Sequence, residues 1–374
     1  MKFIFFHLMP WTRITEQGKD WPVANKYFVP EQGTDFYRNY IDAMAYAEDC
    51  GFDLIGCNEH HFSPYGLMAN PNLIAAALTQ RTSRAKIAVF GNLVPLNNPI
   101  RIAEEYAMLD VMSGGRLVAG FMRGIPHEYV AYNVDPSESW GRLHEATQLI
   151  IKAWTEPEPF GWEGEYYQFR SISIWPRPRQ QPHPPILMSA SNAESAEFAA
   201  RHHAKMGIVL LTSLPGARDN IEIYKKTARA AGWEPTPDDI LIGQHMCICE
   251  TDDEARAYLQ EGCDYFYGVL GGGVRTAANL VLKESRFYEN AQRRAAVSQR
   301  RRDLAAEKID DAIAKGAVLC GSPETVVKQI KRIHGELGNG VFNITMKVGN
   351  IPDAVVRRGM ELFKERVLPE VRHL

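Results

Sequence analysis

Glu59-His60-His61-Phe62 follows directly on the apolar run Phe52-Asp53-Leu54-Ile55-Gly56-Cys57, so a carboxylate and two imidazoles stand where an extended segment ends. Imidazole changes charge near neutral pH, which suits it to donate, accept or orient a proton. Consecutive residues of an extended chain point to opposite sides, so His60 and His61 are not expected to grip one metal ion, and no metal site is predicted. Two readings stay open: one histidine reaches a pocket as an acid–base group, or both are hydrogen-bonded structural residues. Other polar groups follow later apolar runs in the same way, Asn92 and Asn97-Asn98 after one and Arg123 with His127 after the next.

A second stretch, "PPILMSASNAESAEFAARHH" from Pro184, passes from an extended run into a helical one through Ser189, Ser191, Asn192 and Ser195. Free amides at a helix start, together with hydroxyls, make a place where an anion can be held. The plainer alternative is an ordinary N-cap. Arg123, in "AGFMRGIP", would bring a forked cationic donor to the same anion. No GxGxxG follows the first apolar run and no GxxxxGK[ST] occurs, which argues against a Rossmann dinucleotide domain and a P-loop NTPase.

These groups need elements to hold them. Eight short runs, mostly apolar without alternation, read as strands covered on both faces: Phe3–His7, Asp53–Cys57, Lys86–Leu93, Leu117–Met122, Pro185–Ser189, Gly207–Leu211, Leu241–Ile248 and Val341–Met346. Helical patterns lie between them. Tyr40, Met44 and Ala47 share one face, as do Val326, Ile330 and Ile333. "GSPETVVKQI" opens a helix with Ser322 as N-cap, Pro323 at the first position and Glu324 in the first turn. Eight β/α units predict an α/β fold, a (β/α)8 barrel with insertions, as one domain over residues 1–374. In such a barrel the chemistry lies at the C-terminal strand ends, where the polar groups above fall.

Two segments exceed a plain barrel, roughly Glu156–Pro184 and roughly Gly271–Gly316. The second reads as an inserted helical hairpin with a hinge at Gly271–Gly273. Its arginines, Arg293, Arg294 and Arg300–Arg302, form either a solvated face or a lid over an anionic cofactor.

The chain has 374 residues, is 45% apolar and carries a net charge of -3, so nothing in its charge invites nucleic acid or an anionic membrane. Small molecules and proteins are the expected partners. The opening "MKFIFFHLMP" is too short and too soon polar for a signal peptide and reads as a first strand. No run approaches a membrane span. The six cysteines form no CxxC pair, in keeping with a cytoplasmic protein with reduced thiols, and Cys247 and Cys249 are expected to share one strand face as core.

The runs "NEHHF", "GNLVPLNNPIRIAEEYAMLDVMSGGRLVAGFMRG", "WPRPRQQPHPPILMSASNAESAEFAARH", "CGSPETVVKQI" and the closing "ELFKERVLPEV" together resemble the bacterial luciferase-like family of flavin-dependent monooxygenases. The resemblance covers nearly the whole chain and is strongest before residue 205. It implies a barrel that binds reduced FMN, uses O2 as co-substrate through a C4a-(hydro)peroxyflavin, and receives FMNH2 from a separate NAD(P)H:flavin reductase.

By the same resemblance His60 matches the family's active-site histidine and Arg123 a phosphate-contacting arginine. Ser191, Asn192 and Ser195 fall in the phosphate loop, with Asn192 where a hydroxyl is common. Phe90, Gly91 and Asn92 fall in the segment that touches the isoalloxazine ring, where a non-prolyl cis peptide is often seen. Phe5, Phe6, Trp11 and Phe62 are candidate apolar walls or plain core. The expected activity is insertion of one oxygen atom into a small, apolar organic substrate by a homodimer. Two alternatives stand beside it: a deazaflavin-dependent oxidoreductase on the same barrel, and a flavin-binding protein without turnover.

Overall fold

Residues that are apolar on both faces need cover on both faces, and a ring of parallel strands inside a ring of helices supplies it. The computed structural model, which describes residues 1–284 and 306–374, has this arrangement. Its parallel strands are β1 (Lys2–Phe6), β2 (Leu54–Asn58), β3 (Lys86–Leu93), β4 (Leu117–Met122), β7 (Ile186–Ser189), β8 (Lys205–Ile208), β9 (Ile240–Ile248), β10 (Val318–Gly321) and β11 (Val341–Thr345). The barrel closes through β1, β2, β3, β4, β7, β8, β9 and β11, with β11 returning to β1.

β10 is an addition to that ring. His245 of β9 pairs with Thr345 of β11 and also with Val318 of β10, so β10 extends the edge of β9 beyond the end of β8. The predicted strands are present with small shifts. The largest falls on Gly207–Leu211, where the ladder runs over Lys205–Ile208 instead and the Leu211 amide donates to the Gly243 carbonyl at 2.8 Å. An antiparallel hairpin, β5 (Phe160–Glu163) with β6 (Gln168–Ile172), occupies the first of the two extra segments.

The helices are α1 (Pro30–Asp49), α2 (Pro71–Arg81), α3 (Pro99–Met112), α4 (Pro126–Ala131), α5 (Ser139–Thr155), α6 (Ala193–Arg201), α7 (Leu214–Ala230), α8 (Asp252–Tyr265), α9 (Gly271–Glu284), α10 (Ile309–Ala314), α11 (Pro323–Leu337), α12 (Asp353–Leu362) and α13 (Leu368–Val371). Five of them begin on proline, which has no amide to leave unsatisfied there. Asn70 and Asn98 cap α2 and α3, each side chain accepting from an amide two residues on at 2.9 Å. Asn98 is therefore spent on its helix. Ser322 does stand at the N-cap of α11, but its side chain accepts no backbone bond; Asp252 serves this turn, accepting from the Ser322 amide at 2.7 Å and from the Thr325 hydroxyl at 3.0 Å.

Glycines 271–273, expected as a hinge, are helical in this structure. They lie in continuous helical backbone, a π-helical turn over Phe266–Leu270 leading into α9. A Cβ on Gly273 would come within 2.3 Å of the Asp20 carbonyl, so glycine here permits a close backbone contact. The arginines 293, 294 and 300–302 lie outside the described residues, as does the body of the predicted lid. Cys247 and Cys249 do share a face, their sulfurs 4.0 Å apart and both buried. Among the described residues, no helix is long and apolar enough to cross a membrane, and no group of three potential ligands could hold a metal ion.

A bulge at the end of β3 matters for the site. Val89 pairs with Ala119 and Asn92 with Phe121, so Phe90 and Gly91 together oppose Gly120. The bulge needs both glycines: Gly91 has φ +117°, and a Cβ on Gly120 would sit 1.8 Å from the Val89 carbonyl. Among the described residues the cis peptides all precede proline, so the expected non-prolyl cis bond near Phe90 is absent and the bulge makes the bend.

Candidate active site

β2 delivers the two histidines to different places. His61 turns inward from the site: its Nε2 lies 2.8 Å from Glu59 Oε1, with both side chains buried, and Glu59 Oε2 accepts the Leu93 amide at 2.8 Å. Asn97 donates to the same carboxylate at 3.3 Å. His60 faces the mouth of the barrel, and its Nδ1 lies 2.9 Å from Glu128 Oε1.

Glu128 is fully buried and held from both ends. It is the third residue of α4; its Oε2 accepts the Ile125 amide at 2.7 Å, and its own amide donates to the Ile125 carbonyl at 3.0 Å. One oxygen thus fixes the helix start while the other fixes the imidazole. With Nδ1 so engaged, Nε2 is the ring nitrogen left for a ligand: it accepts a proton when the ring is neutral and donates one when it is charged. The Tyr65 ring stands edge-on to the imidazole, centroids 4.7 Å apart, and restricts its swing.

His60 lines a cavity of about 320 Å³ at the C-terminal ends of the strands, and Phe90, Arg123, Ser191, Asn192 and Ser195 line it too. Arg123 comes from the end of β4. Its guanidinium lies 5.0 Å from the centre of the Trp140 ring and donates to Ser139 Oγ at 3.4 Å, both from the start of α5. After the neighbouring strand β7, Asn192 caps α6, accepting the Ser195 amide at 3.0 Å, while Ser195 Oγ bonds back to Asn192. The plain N-cap reading of Asn192 and Ser195 is thus correct for their side chains. The cap itself lies beside the cavity, which Asn192 and Ser195 line together with Ser189 and Ser191 before them.

Asn92 behaves differently from its neighbours. The bulge turns its side chain away from the cavity, into a two-way amide pair with Asn72 of α2 at 3.0 and 3.1 Å. Of the aromatic candidates, Phe6 lines the cavity. Phe5 packs in the core on Phe52, Trp11 packs on Phe28 and Phe36, and Phe62 is 56% exposed. His127 is buried next to Trp21 and does not line the cavity.

Sequence reasoning missed Glu128, Trp140 and Phe198 as parts of this site. "IPHE" does carry a readable sign, proline followed by a carboxylate in a first turn, but that sign speaks of a helix start and not of an imidazole 68 residues earlier.

The luciferase-like monooxygenase family profile matches residues 17–339. Among curated proteins, the alkanal monooxygenase alpha chain of Photorhabdus luminescens is 29% identical over 50% of this chain and 52% of its own. The oxygenase component of flavin-dependent trigonelline monooxygenase from Acinetobacter baylyi is 26% identical over 63% of this chain and 65% of its own. The chain thus spans between half and two thirds of the length of these relatives.

Among solved structures, the monooxygenase RslO1 from Streptomyces bottropensis superposes with a TM-score of 0.75 at 28% identity, covering 99% of both chains. The oxygenating constituent of 3,6-diketocamphane monooxygenase from Pseudomonas putida, in complex with FMN, gives 0.74 at 18% identity, covering 99% and 98%. An F420-dependent secondary alcohol dehydrogenase gives 0.70 at 16%, covering 99% of both. The last two share the fold.

Proposed function

The chain belongs to the luciferase-like monooxygenase family, and from that premise we propose that it is the oxygenase component of a two-component monooxygenase that uses FMNH2 and O2 to insert one oxygen atom into a small, apolar organic substrate. The observation that carries this reading is the division of one cavity into an anion end and a proton end. Arg123, Ser189, Ser191 and the start of α6 at Asn192 and Ser195 line one part of it, and His60 backed by Glu128 stands at another.

Those groups fit reduced FMN. The hydroxyls of Ser189 and Ser191 and the Arg123 guanidinium answer a phosphate, and Phe6 and Phe90 offer flat apolar surface to a ring system. Bound there, FMNH2 supplies the electrons and the O2 chemistry, which belong to the cofactor.

The chain's own work is narrower. Arg123 and α6 set the depth of the cofactor. Leu93, Met122 and Phe198 keep water from the reacting atoms. His60 holds or moves a proton at Nε2, and Glu128 keeps the ring turned so that Nε2 and not Nδ1 faces the cavity. The FMN-bound relative and the named oxygenase component support FMN and a separate reductase.

A homodimer belongs to the same proposal. Leu73 of α2 and Met108, Val111 and Met112 of α3 are between 44% and 70% exposed on neighbouring helices, an apolar surface that a lone barrel leaves in water.

The test is a panel of apolar ketones, aldehydes and aromatics offered to the protein with FMNH2 and air, read by mass. A gain of one oxygen atom that requires protein and FMNH2 supports the proposal. Flavin oxidation without any oxygenated product contradicts it.

A further inference from the structure

At the N-terminal end of the barrel, opposite the site above, the interior opens again into a cavity of about 260 Å³. Inward-facing positions alternate along each strand, and at this level they include Ile4, Leu54, Ala88, Val118, Leu187 and Leu241. Alanine at 88 leaves room that a larger residue would fill. One layer higher, Phe6 and Phe90 meet edge to face at 5.2 Å over Gly56, where a Cβ would lie 2.8 Å from the Phe6 ring. Both rings line the upper cavity, so this pair stands between the two spaces.

The bottom of such a barrel normally serves stability and is closed by packed side chains. Here it is rimmed by Lys2, Arg84, Lys86 and Lys205 against Asp53 and Asp238. The carboxylates are committed. Asp238 pairs with Lys2 at 2.5 Å and Asp53 with Arg372 at 2.5 Å. Lys205 pairs with Asp239 at 2.7 Å, and Arg84 leans toward Glu48 and Asp49 at 3.7 and 3.6 Å. Lys86 has no ion-pair partner among the described residues. Burial first, and then the charges of Lys2 and Lys205, make its ammonium harder to keep protonated. Asp238 acts the other way, so Lys86 is a rim cation with no close carboxylate, set above an apolar well where an anion with an apolar tail would find both a charge and a wall.

We propose that this lower cavity is a binding site for a medium-chain aliphatic carboxylate, with the carboxylate beside Lys86 and the chain running inward along Ile4, Ala88 and Leu187. A single spare cation asks for a single negative charge. The forked donor on the rim, Arg84, leans toward Glu48 and Asp49 and not toward a phosphate ester. The volume is below the roughly 300–1,000 Å³ of sites for drug-sized ligands and suits one unbranched chain. The proposal stands independently of the redox reaction.

The experiment is calorimetric titration of the full chain with straight-chain carboxylates from butanoate to decanoate, and with octanol. Affinity is expected to rise about 4-fold per added methylene until the cavity is full. Lys86→Met, at the exposed rim, should weaken octanoate about tenfold or more and leave octanol unchanged. Ala88→Leu should weaken both, and if that variant does not fold, Lys86→Met and the chain-length series still decide. Arg123→Ala, beyond the Phe6/Phe90 layer, should leave octanoate binding as it was. Affinity independent of chain length, full octanoate affinity in Lys86→Met, or loss of octanoate in Arg123→Ala would each overturn the assignment.

Discussion

His60 Nδ1 and Glu128 Oε1, from residues 68 apart in the chain, meet at 2.9 Å, with Glu128 fully buried and His60 open to the cavity. The next residue makes the opposite use of the same chemistry, since His61 and Glu59 meet at 2.8 Å with both side chains buried and His61 outside the cavity lining. One motif thus sends one imidazole to the cavity and one to the interior.

His60→Asn keeps a donor toward Glu128 and should fold and bind FMN nearly as the parent does, while coupled oxygenation falls by roughly 10²-fold or more, as loss of a positioned acid–base group does. Glu128→Gln should lower the rate by less, because the imidazole remains and only its orientation loosens. Single-turnover rates with pre-bound FMNH2 check both. A fully active His60→Asn protein would remove the acid–base role.

His61→Ala should act on stability. It leaves the buried Glu59 with only the Leu93 amide and Asn97 as partners, and loss of one hydrogen bond to a charged group costs on the order of 1.5–3 kcal/mol. Urea unfolding should show a lowered midpoint with unchanged slope. A midpoint equal to that of the parent would mean the Glu59–His61 pair contributes nothing.

Arg123→Ala is predicted to weaken FMNH2 binding by about 1.5–3 kcal/mol, roughly 10- to 100-fold, with little effect on later steps once the cofactor is saturating. Anaerobic fluorescence titration reads this directly. Unchanged affinity would put the phosphate elsewhere.

The barrel strands were legible because β/α alternation is written in unbroken apolar runs, and the positions of His60 and Arg123 followed from their place just after such runs. β10 was not legible: "VLCG" is four residues long and exists only by pairing with the end of β9. The direction of Asn92 was hidden for a related reason. Strict alternation along β3 breaks where the contact between Gly120 and Val89 forces a bulge, and that contact joins two strands. Glu128 is the clearest case, since its local pattern explains one of its oxygens and the fold alone explains the other.

Acid should destabilise the protein through its buried imidazoles. Burial, helped by Lys347, pushes His7 down to about 3 from 6.5, and burial alone pushes His245 to about 4. Both are neutral in the fold and take up a proton more readily when unfolded. Between pH 6.5 and about 3 to 4 the unfolded chain therefore binds more protons, so stability rises with pH across that window and is lost as pH falls. Each histidine contributes up to about 1.4 kcal/mol per pH unit. Urea midpoints at pH 7, 6 and 5 should decline in that order, and His245→Asn should lessen the decline. A flat series would contradict the burial of these rings as neutral groups.

The apolar surface on α2 and α3 should hold two copies together. Light scattering at micromolar concentration is predicted to give twice the chain mass, and Leu73→Asp with Met108→Glu to give the single mass with the barrel intact by circular dichroism. A parent protein that is already monomeric would show that this surface pairs with nothing of its own.

The central claim is that this cavity turns FMNH2 and O2 into an oxygen atom inserted in an organic molecule. Its most direct test is a single turnover of the FMNH2-loaded protein with ¹⁸O2 and a panel of apolar substrates, read by mass spectrometry. The account predicts a product carrying one ¹⁸O atom, formed by the parent protein and lost in His60→Asn. Reduction of a substrate by a reduced deazaflavin with no ¹⁸O incorporated, or quantitative release of labelled hydrogen peroxide with every substrate, would contradict it.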